Sequence, residues 1–257
     1  MKKTLIALAV VATAAVSGSA TAATWNKGET NTSIQLSGLV DVLLPNNPWV
    51  VKVGEPVKGL NAQIKSGEKQ VKIGIDKTIP VLGIRTESNT PFKGQSGISP
   101  QISFGKAIDI DKFDSDGRTP LTLDVKNEAD ESIGTLTATF HSGAEASSVY
   151  GTTKSKFNLY AAKAGQAFYG GLGQSSANVS KNSWFIAKSF DPDFVANYND
   201  QGATTVSSGN AEYFNQPQIS YSAFYGSGLE NVGITLNQPA RSSITWKASL
   251  PVSVTYQ

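Results

Sequence analysis

Apolar and polar residues alternate with a period of two along most of the chain, most plainly at its end. There Ile244, Trp246, Ala248, Leu250, Val252, Val254 and Tyr256 all fall on even positions. A strand with one buried face produces this pattern, because successive side chains point to opposite faces. Pro251 within it predicts a bend or a sheet edge, since proline cannot donate to a ladder. Comparable segments recur at Trp49-Val51-Val53, Val71-Ile73-Ile75, 98–104, Leu121-Leu123-Val125, 133–140, Ile219-Tyr221-Ala223-Tyr225 and Ile234-Leu236. Ser66-Gly67, Asn89-Thr90-Pro91, Asp116-Gly117 and Ser227-Gly228 read as the turns between strands. Many short strands with such punctuation predict a mainly β, antiparallel sandwich.

Two stretches depart from this pattern. Between residues 142 and 210 the composition turns to Ser, Ala, Gly and Asn, and Phe157, Tyr160, Ala161 and Ala164 have helical spacing, so an inserted region with short helices is expected. Asp191-Pro192 reads as an N-cap and first helical position, opening a short helix through Phe194, Val195 and Tyr198. An excursion of this kind from a rigid sandwich is a usual place for a binding surface. Trp184, Phe185, Tyr198 and Tyr213 in or beside it are the aromatic candidates for a glycan site, each also readable as core of the insertion. At the other end, after the polar residues 26–31, the stripe Thr32, Ile34, Leu36, Gly38, Val40 and Val42 begins a strand with no hairpin partner before it. It either folds back as an ordinary first strand or inserts into another molecule.

The first residues set the compartment. Lys2 and Lys3 precede an apolar run over 5–16 and the small residues Ser17 to Ala20, with Ala20-Thr21-Ala22 meeting the small-residue rule at a cleavage site. This is a secretory signal peptide over residues 1–22. Its removal leaves 235 of 257 residues, ample for a sizeable core. The chain has no Cys, so in an oxidising compartment stability has to come from burial or from a partner. Without Lys2 and Lys3, the 22 basic residues become 20 against 20 acidic ones, spread singly, which gives no support to nucleic-acid binding.

Catalytic material is sparse, and neither an enzyme nor a cofactor is expected. His141, the one histidine, reads as a strand-end or turn residue. Asp109, Asp111, Asp114, Asp116 and Gly117 crowd one loop, but the EF-hand pattern needs a Glu where Leu123 stands, so no metal site is assigned. Gly170-Gly171-Leu172-Gly173 lacks the Lys and Ser or Thr of a phosphate loop and reads as a turn.

Several segments, in order along nearly the whole chain, resemble the FaeG-type fimbrial subunits of the chaperone/usher pathway. They are Trp49-Val-Val-Lys-Val-Gly54, Ile79-Pro-Val-Leu-Gly-Ile-Arg-Thr86, Phe168-Tyr-Gly-Gly-Leu172 and the tail over 246–257. The resemblance implies an incomplete immunoglobulin-like antiparallel β-sandwich over 43–257, completed by donor-strand exchange, with 142–210 as a variable insertion. It implies export through the periplasm to a surface fimbria. The partners implied are neighbouring subunits in a homopolymer, a periplasmic chaperone, an outer-membrane usher and host glycoconjugates. On this reading 23–42 is the donor extension, with Thr32, Ile34, Leu36, Gly38 and Val40 on the inserted face. Leu250, Val252, Val254 and Tyr256 belong to the strand that lines the groove and meets the chaperone. The alternatives are a minor fimbrial subunit without receptor binding, an outer-membrane β-barrel, or a free secreted lectin or enzyme.

Overall fold

The computed structural model describes residues 47–210 and 212–257, with the backbone alone for 212 and 213. The signal peptide, the 23–42 extension with Thr32, Ile34, Leu36, Gly38 and Val40, and the Tyr213 side chain lie outside the described residues. In chain order the strands are β1 (Trp49–Val53), β2 (Gln70–Lys72), β3 (Ile79–Thr86), β4 (Phe92–Lys93), β5 (Pro100–Ser103), β6 (Arg118–Lys126), β7 (Ser132–Tyr150) and β8 (Thr153–Tyr160). The helix α1 (Ser183–Phe190) precedes β9 (Val206–Asn210), β10 (Ser220–Leu236), β11 (Lys247–Ala248) and β12 (Ser253–Tyr256).

Among the described residues a large sheet runs β1-β3-β10-β7-β6-β11, with β2 and β4 also on β10, β8 on β7 and β9 on β8. A second sheet consists of β5 and β12. All pairs are antiparallel except β8–β9. The molecule is therefore a mainly β, immunoglobulin-like sandwich. The large sheet is open, ending at β1 and β11, which sets it apart from a closed membrane barrel. No helix among the described residues is long and apolar enough to cross a membrane.

The alternation in the sequence becomes the core. Leu82 and Ile84 of β3, Phe140, Ala144 and Ala146 of β7, and Tyr221, Ala223 and Tyr225 of β10 point inward to meet Ile102, Val254 and Tyr256 of the small sheet. Cross-strand pairs such as Leu121 with Ala138 and Leu123 with Leu136 hold the register, since a slip of one residue would turn the apolar set outward. At one end Trp49 packs edge-on to Phe92 and Phe168 and donates Nε1–H to Ile98 O at 2.6 Å.

Four expectations need correction. The helical spacing at Phe157, Tyr160, Ala161 and Ala164 does not make a helix: residues through Tyr160 are β8. A two-residue connection, with Gly151 at φ 58°, lets the chain fold straight back onto β7, and the ladder bonds outweigh the local pattern. The insertion's short helices lie later, at α1 and in 3₁₀ turns Ser176–Asn178 and Pro192–Val195. Asp191 caps the latter, accepting the Asp193 N–H as expected, but the turn ends before Tyr198. Ser227-Gly228 is not a turn between strands but a bulge inside the 17-residue β10. The C-terminal stripe is broken into β11 and β12 around exposed Pro251, and Ile244 is exposed.

One further feature positions the excursion. Gly83 of β3, Gly226 of β10 and Gly143 of β7 are direct cross-strand neighbours and form a bare row across the outer face of the large sheet. A Cβ at Gly83 would sit 2.1 Å from the Phe194 ring, and one at Gly226 2.7 Å from Ala187 Cβ. A Cβ at Gly143 would come within 3.0 Å of Ser183. The excursion thus lies directly on backbone. A Gly83→Ala substitution should destabilise the chain by about 1–3 kcal/mol in urea denaturation, as overpacking does. Because the clash is with one ring, the double variant with Phe194→Leu should cost less than the two singles summed.

Candidate assembly edge and outer face

The small sheet has one unused side. In β5 and β12 the exchanged hydrogen bonds between Ser99 and Gln257 set the phase of the ladder, so Ser253, Thr255 and Gln257 turn their amides and carbonyls toward β5. The far edge of β5 is occupied: Ile102 N–H donates to Tyr169 O at 2.8 Å, and Phe168 N–H donates to Pro100 O. The Phe168-Tyr-Gly-Gly-Leu172 motif therefore serves as a β5 neighbour. Gly170 is needed there because a Cβ would fall 1.9 Å from Ile102 O.

The far edge of β12 is not occupied by any described residue. Val252, Val254 and Tyr256 direct their N–H and C=O groups to it, away from β5. The same residues carry the inward stripe. Val254 is 1% and Tyr256 8% exposed, and Leu250 and Val252 are half-buried against the same core. Burial raises the Tyr256 hydroxyl above its usual range, partly offset by its hydrogen bond to Asn47. That contact places the first described residues of the chain beside its last strand. Between Glu55 and Ile64 the chain is also unpaired: among the described residues its one internal backbone hydrogen bond is Asn61 N–H to Gly59 O, while Leu60 and Ile64 rest on the core.

The outer face is the excursion. Of its aromatic candidates, Phe185 is 68% exposed and stands edge-on to half-buried Trp184, their ring centres 5.0 Å apart; Lys188 Nζ lies 4.4 Å above the Trp184 ring. Tyr198 turns inward instead, edge-on to buried Phe224. The structure thus leaves Phe185 outermost, with Trp184 beneath it, and Trp184 and Tyr198 both flank a second small core of Ala187, Val195 and Phe224. Composition hid this second core, whose one sequence signal is glycine inside apolar runs at 83, 143 and 226.

Charge pins the excursion to the sheet edge. Lys52 of β1 contacts Asp191 at 2.7 Å and Asp193 at 3.2 Å, and Arg85 of β3 reaches Asp193 at 3.2 Å. Burial works to raise the Asp191 carboxyl, but Lys52 and the Asp193 N–H outweigh it and hold it below the usual range. The Asp191 and Asp193 carboxylates raise Lys52. A cavity of about 170 Å³ lies beside this network, lined by Val50, Gly83 and Phe194 among others.

His141 is not at a strand end. It is buried within β7, with Nδ1 3.0 Å from Glu230 and Nε2 3.0 Å from the Asp116 carbonyl, an arrangement that ties β7 to β10 and to the loop before β6. The acidic loop spends its carboxylates on turns. Asp109 accepts the Asp111 N–H, Asp114 accepts those of Asp116 and Arg118, and Asp116 pairs with Arg118.

The fold is an immunoglobulin-like sandwich whose β12 edge is met by no described residue and whose large sheet carries the excursion. The family model described as "Fimbrial, major and minor subunit" matches residues 1–257, and the chain belongs to that family. It is 27% identical to the F41 fimbrial protein of Escherichia coli over 284 aligned residues, covering 100% of both chains. It is also 27% identical to the K88 fimbrial protein AB of Escherichia coli over 288 residues, again covering 100% of both. The K88 minor fimbrial subunit FaeI, from the same species, is 26% identical over 243 residues, covering 91% of this chain and 92% of that one.

On this geometry Phe185→Ala should leave unfolding stability within about 0.5 kcal/mol, as exposed substitutions do. Phe224→Ala, which empties the second core, should cost about 3–5 kcal/mol in the same denaturation series.

Proposed function

We propose that the chain is a non-enzymatic, cofactor-free structural subunit that leaves the cell through the periplasm and polymerises into a surface fimbria by donor-strand exchange. A periplasmic chaperone first covers the β12 edge, and an outer-membrane usher directs its replacement by residues 23–42 of the next subunit. The observation that carries this reading is the unpaired edge of β12, where buried side chains coexist with main-chain groups that no described residue meets. An extended segment added there would gain a row of backbone hydrogen bonds, with alternate side chains giving register. Ile34, Leu36 and Val40 supply the alternation and Gly38 a point of close approach. Three buried aliphatic side chains contribute on the order of 5–9 kcal/mol before ordering costs, which suits a long-lived polymer.

Exposed Phe185, backed by half-buried Trp184 and with Lys188 beside it, supports the further reading that the excursion faces a host glycan, since exposed aromatic rings stack on the apolar faces of sugars. Tyr198, turned inward, supports the fold of that surface; Tyr213 stays a candidate contact.

The test uses a chain lacking residues 24–42, held by its chaperone, and a synthetic peptide of residues 30–42. When the peptide replaces the chaperone, at a concentration a hundred times its dissociation constant, the thermal midpoint should rise by about 5–10 °C. A peptide with Ile34→Asp should give no such gain. If the native peptide adds no stability, or if the full chain is a solitary monomer whose leader exchanges as fast as a free peptide, donor-strand assembly is wrong.

A further inference from the structure

One ionisable group at the join between sheet and excursion takes no part in assembly or in the aromatic patch. Along β7, Gly143, Glu145 and Ser147 face the excursion while Ala144 and Ala146 face the main core. Glu145 is 5% exposed and lies on the ladder between Phe224 of β10 and Asn158 of β8. Phe224 is sealed by Ala187, Val195, Trp184 and Tyr198, so this carboxyl is set in a largely apolar seam. The Tyr198 hydroxyl, closed off from solvent, turns toward it and makes no hydrogen bond of ordinary length among the described residues.

The surrounding charges come from two elements. Lys156 of β8 lies 3.9 Å from Asp200, which belongs to the loop that follows Tyr198. β10 and α1 place uncharged Phe224, Ala187 and Trp184 over the seam, and Lys188 of α1 is exposed above the Trp184 ring. The loop is otherwise seated by bonds that do not titrate. Ser147 Oγ donates to Asn199 O at 2.6 Å, Asn199 N–H donates to Ser222 Oγ at 3.0 Å, and Gln201 Nε2 donates to Ser147 Oγ at 3.0 Å.

We propose that Glu145 and Tyr198 form a protonation-controlled latch: a neutral Glu145 lets the loop over 197–202 close on the sheet, and its ionisation draws water into the seam and loosens that loop. Burial raises the Glu145 carboxyl above its usual range and Asp200 adds to this, against the opposing influence of Tyr198 and Lys156. Tyr198 is itself raised by burial and by the Glu145 charge, so it stays a neutral phenol. The sign follows from linkage. A carboxyl raised in the folded state gives stability that is fully present below the ordinary glutamate value of 4.5 and is lost as pH rises through the folded value. The excursion is therefore seated most firmly in acid.

Hydrogen exchange of the whole purified chain, read by mass spectrometry between about pH 4 and pH 8 and divided by the intrinsic rate at each pH, tests the latch. Protection of residues 197–202 should fall by up to about tenfold per pH unit as pH rises from the ordinary glutamate value to the folded value of Glu145, and level off above it, while β6 and β7 are unchanged. In Glu145→Gln the dependence in 197–202 should vanish. Equal pH dependence in both proteins, or none in the wild type, overturns the proposal. If Glu145→Gln does not fold, the carbon-13 titration of the wild-type Glu145 carboxyl decides instead. A midpoint above that of an exposed glutamate, coinciding with the loss of protection, supports the latch; an ordinary midpoint refutes it.

Discussion

A strand that buries its side chains while bonding to one neighbour leaves half of its amides and carbonyls without a protein partner, and this condition governs the molecule. Among the described residues β12 is in that state. Val254 and Tyr256 are packed into the core, and the main-chain groups of the same two residues face away from β5, the one strand that pairs with them. Pairing on the other side of β5 is already taken by the turn at Phe168 and Tyr169, so the small sheet cannot rearrange to close itself. Backbone groups near a core need partners, and water at such an edge competes with any extended segment able to bring both hydrogen bonds and apolar side chains. The absence of cysteine is consistent with this economy, because an added strand cross-links the fold without a disulfide.

The opposite sheet solves a different problem, that of holding a long excursion on a flat surface. Gly83, Gly226 and Gly143 remove every side chain from one row of the sheet, so that Phe194, Ala187 and Ser183 reach backbone. Close packing of this kind replaces volume with contact, and dispersion falls steeply once a gap opens. Around the row the chemistry changes from apolar to ionic and polar. Phe224 anchors the small second core, Lys52 and Arg85 hold Asp191 and Asp193 at the β1 side, and Ser147 with Ser222 holds Asn199 at the other. The exposed ion pairs contribute little each and fix orientation more than they add stability.

Much of the sandwich was legible because alternation in a half-buried strand is a direct consequence of the pleat. Segments such as Leu121-Leu123-Val125 and the inward face of Val254 and Tyr256 follow from period two alone. What could not be read was decided by tertiary context. Phe157 and Tyr160 carry a spacing that suits a helix, yet β7 extends past the core and offers its edge, so the segment pairs instead. Ser227-Gly228 looks like a turn because glycine usually marks one; within β10 the same residues make a bulge and let Phe190 approach, a role that depends on what lies across the sheet. Of the aromatic candidates, sequence could not separate Phe185, which points to solvent, from Tyr198, which points to Phe224: Phe185 sits in the apolar run Trp184-Phe185-Ile186-Ala187 and Tyr198 among polar residues, the reverse of their exposure.

The two faces differ in how freely their residues can change. On the small sheet Val254 and Tyr256 are packed into the core and held in register with β5, so substitutions there alter either the core or the ladder. Beneath the excursion the buried supports are few: the glycine row, Phe224, Phe194 and the seam at Glu145. Phe185 and its neighbours outside those supports are exposed, and exposed substitutions cost little stability. A surface of this construction can change while the small sheet stays constant, because Trp184 packs on the second core, separate from the core that holds β5 and β12. The separation holds only as long as the excursion stays seated, and its seating is where a buried carboxyl, rather than another apolar side chain, occupies the centre of the join.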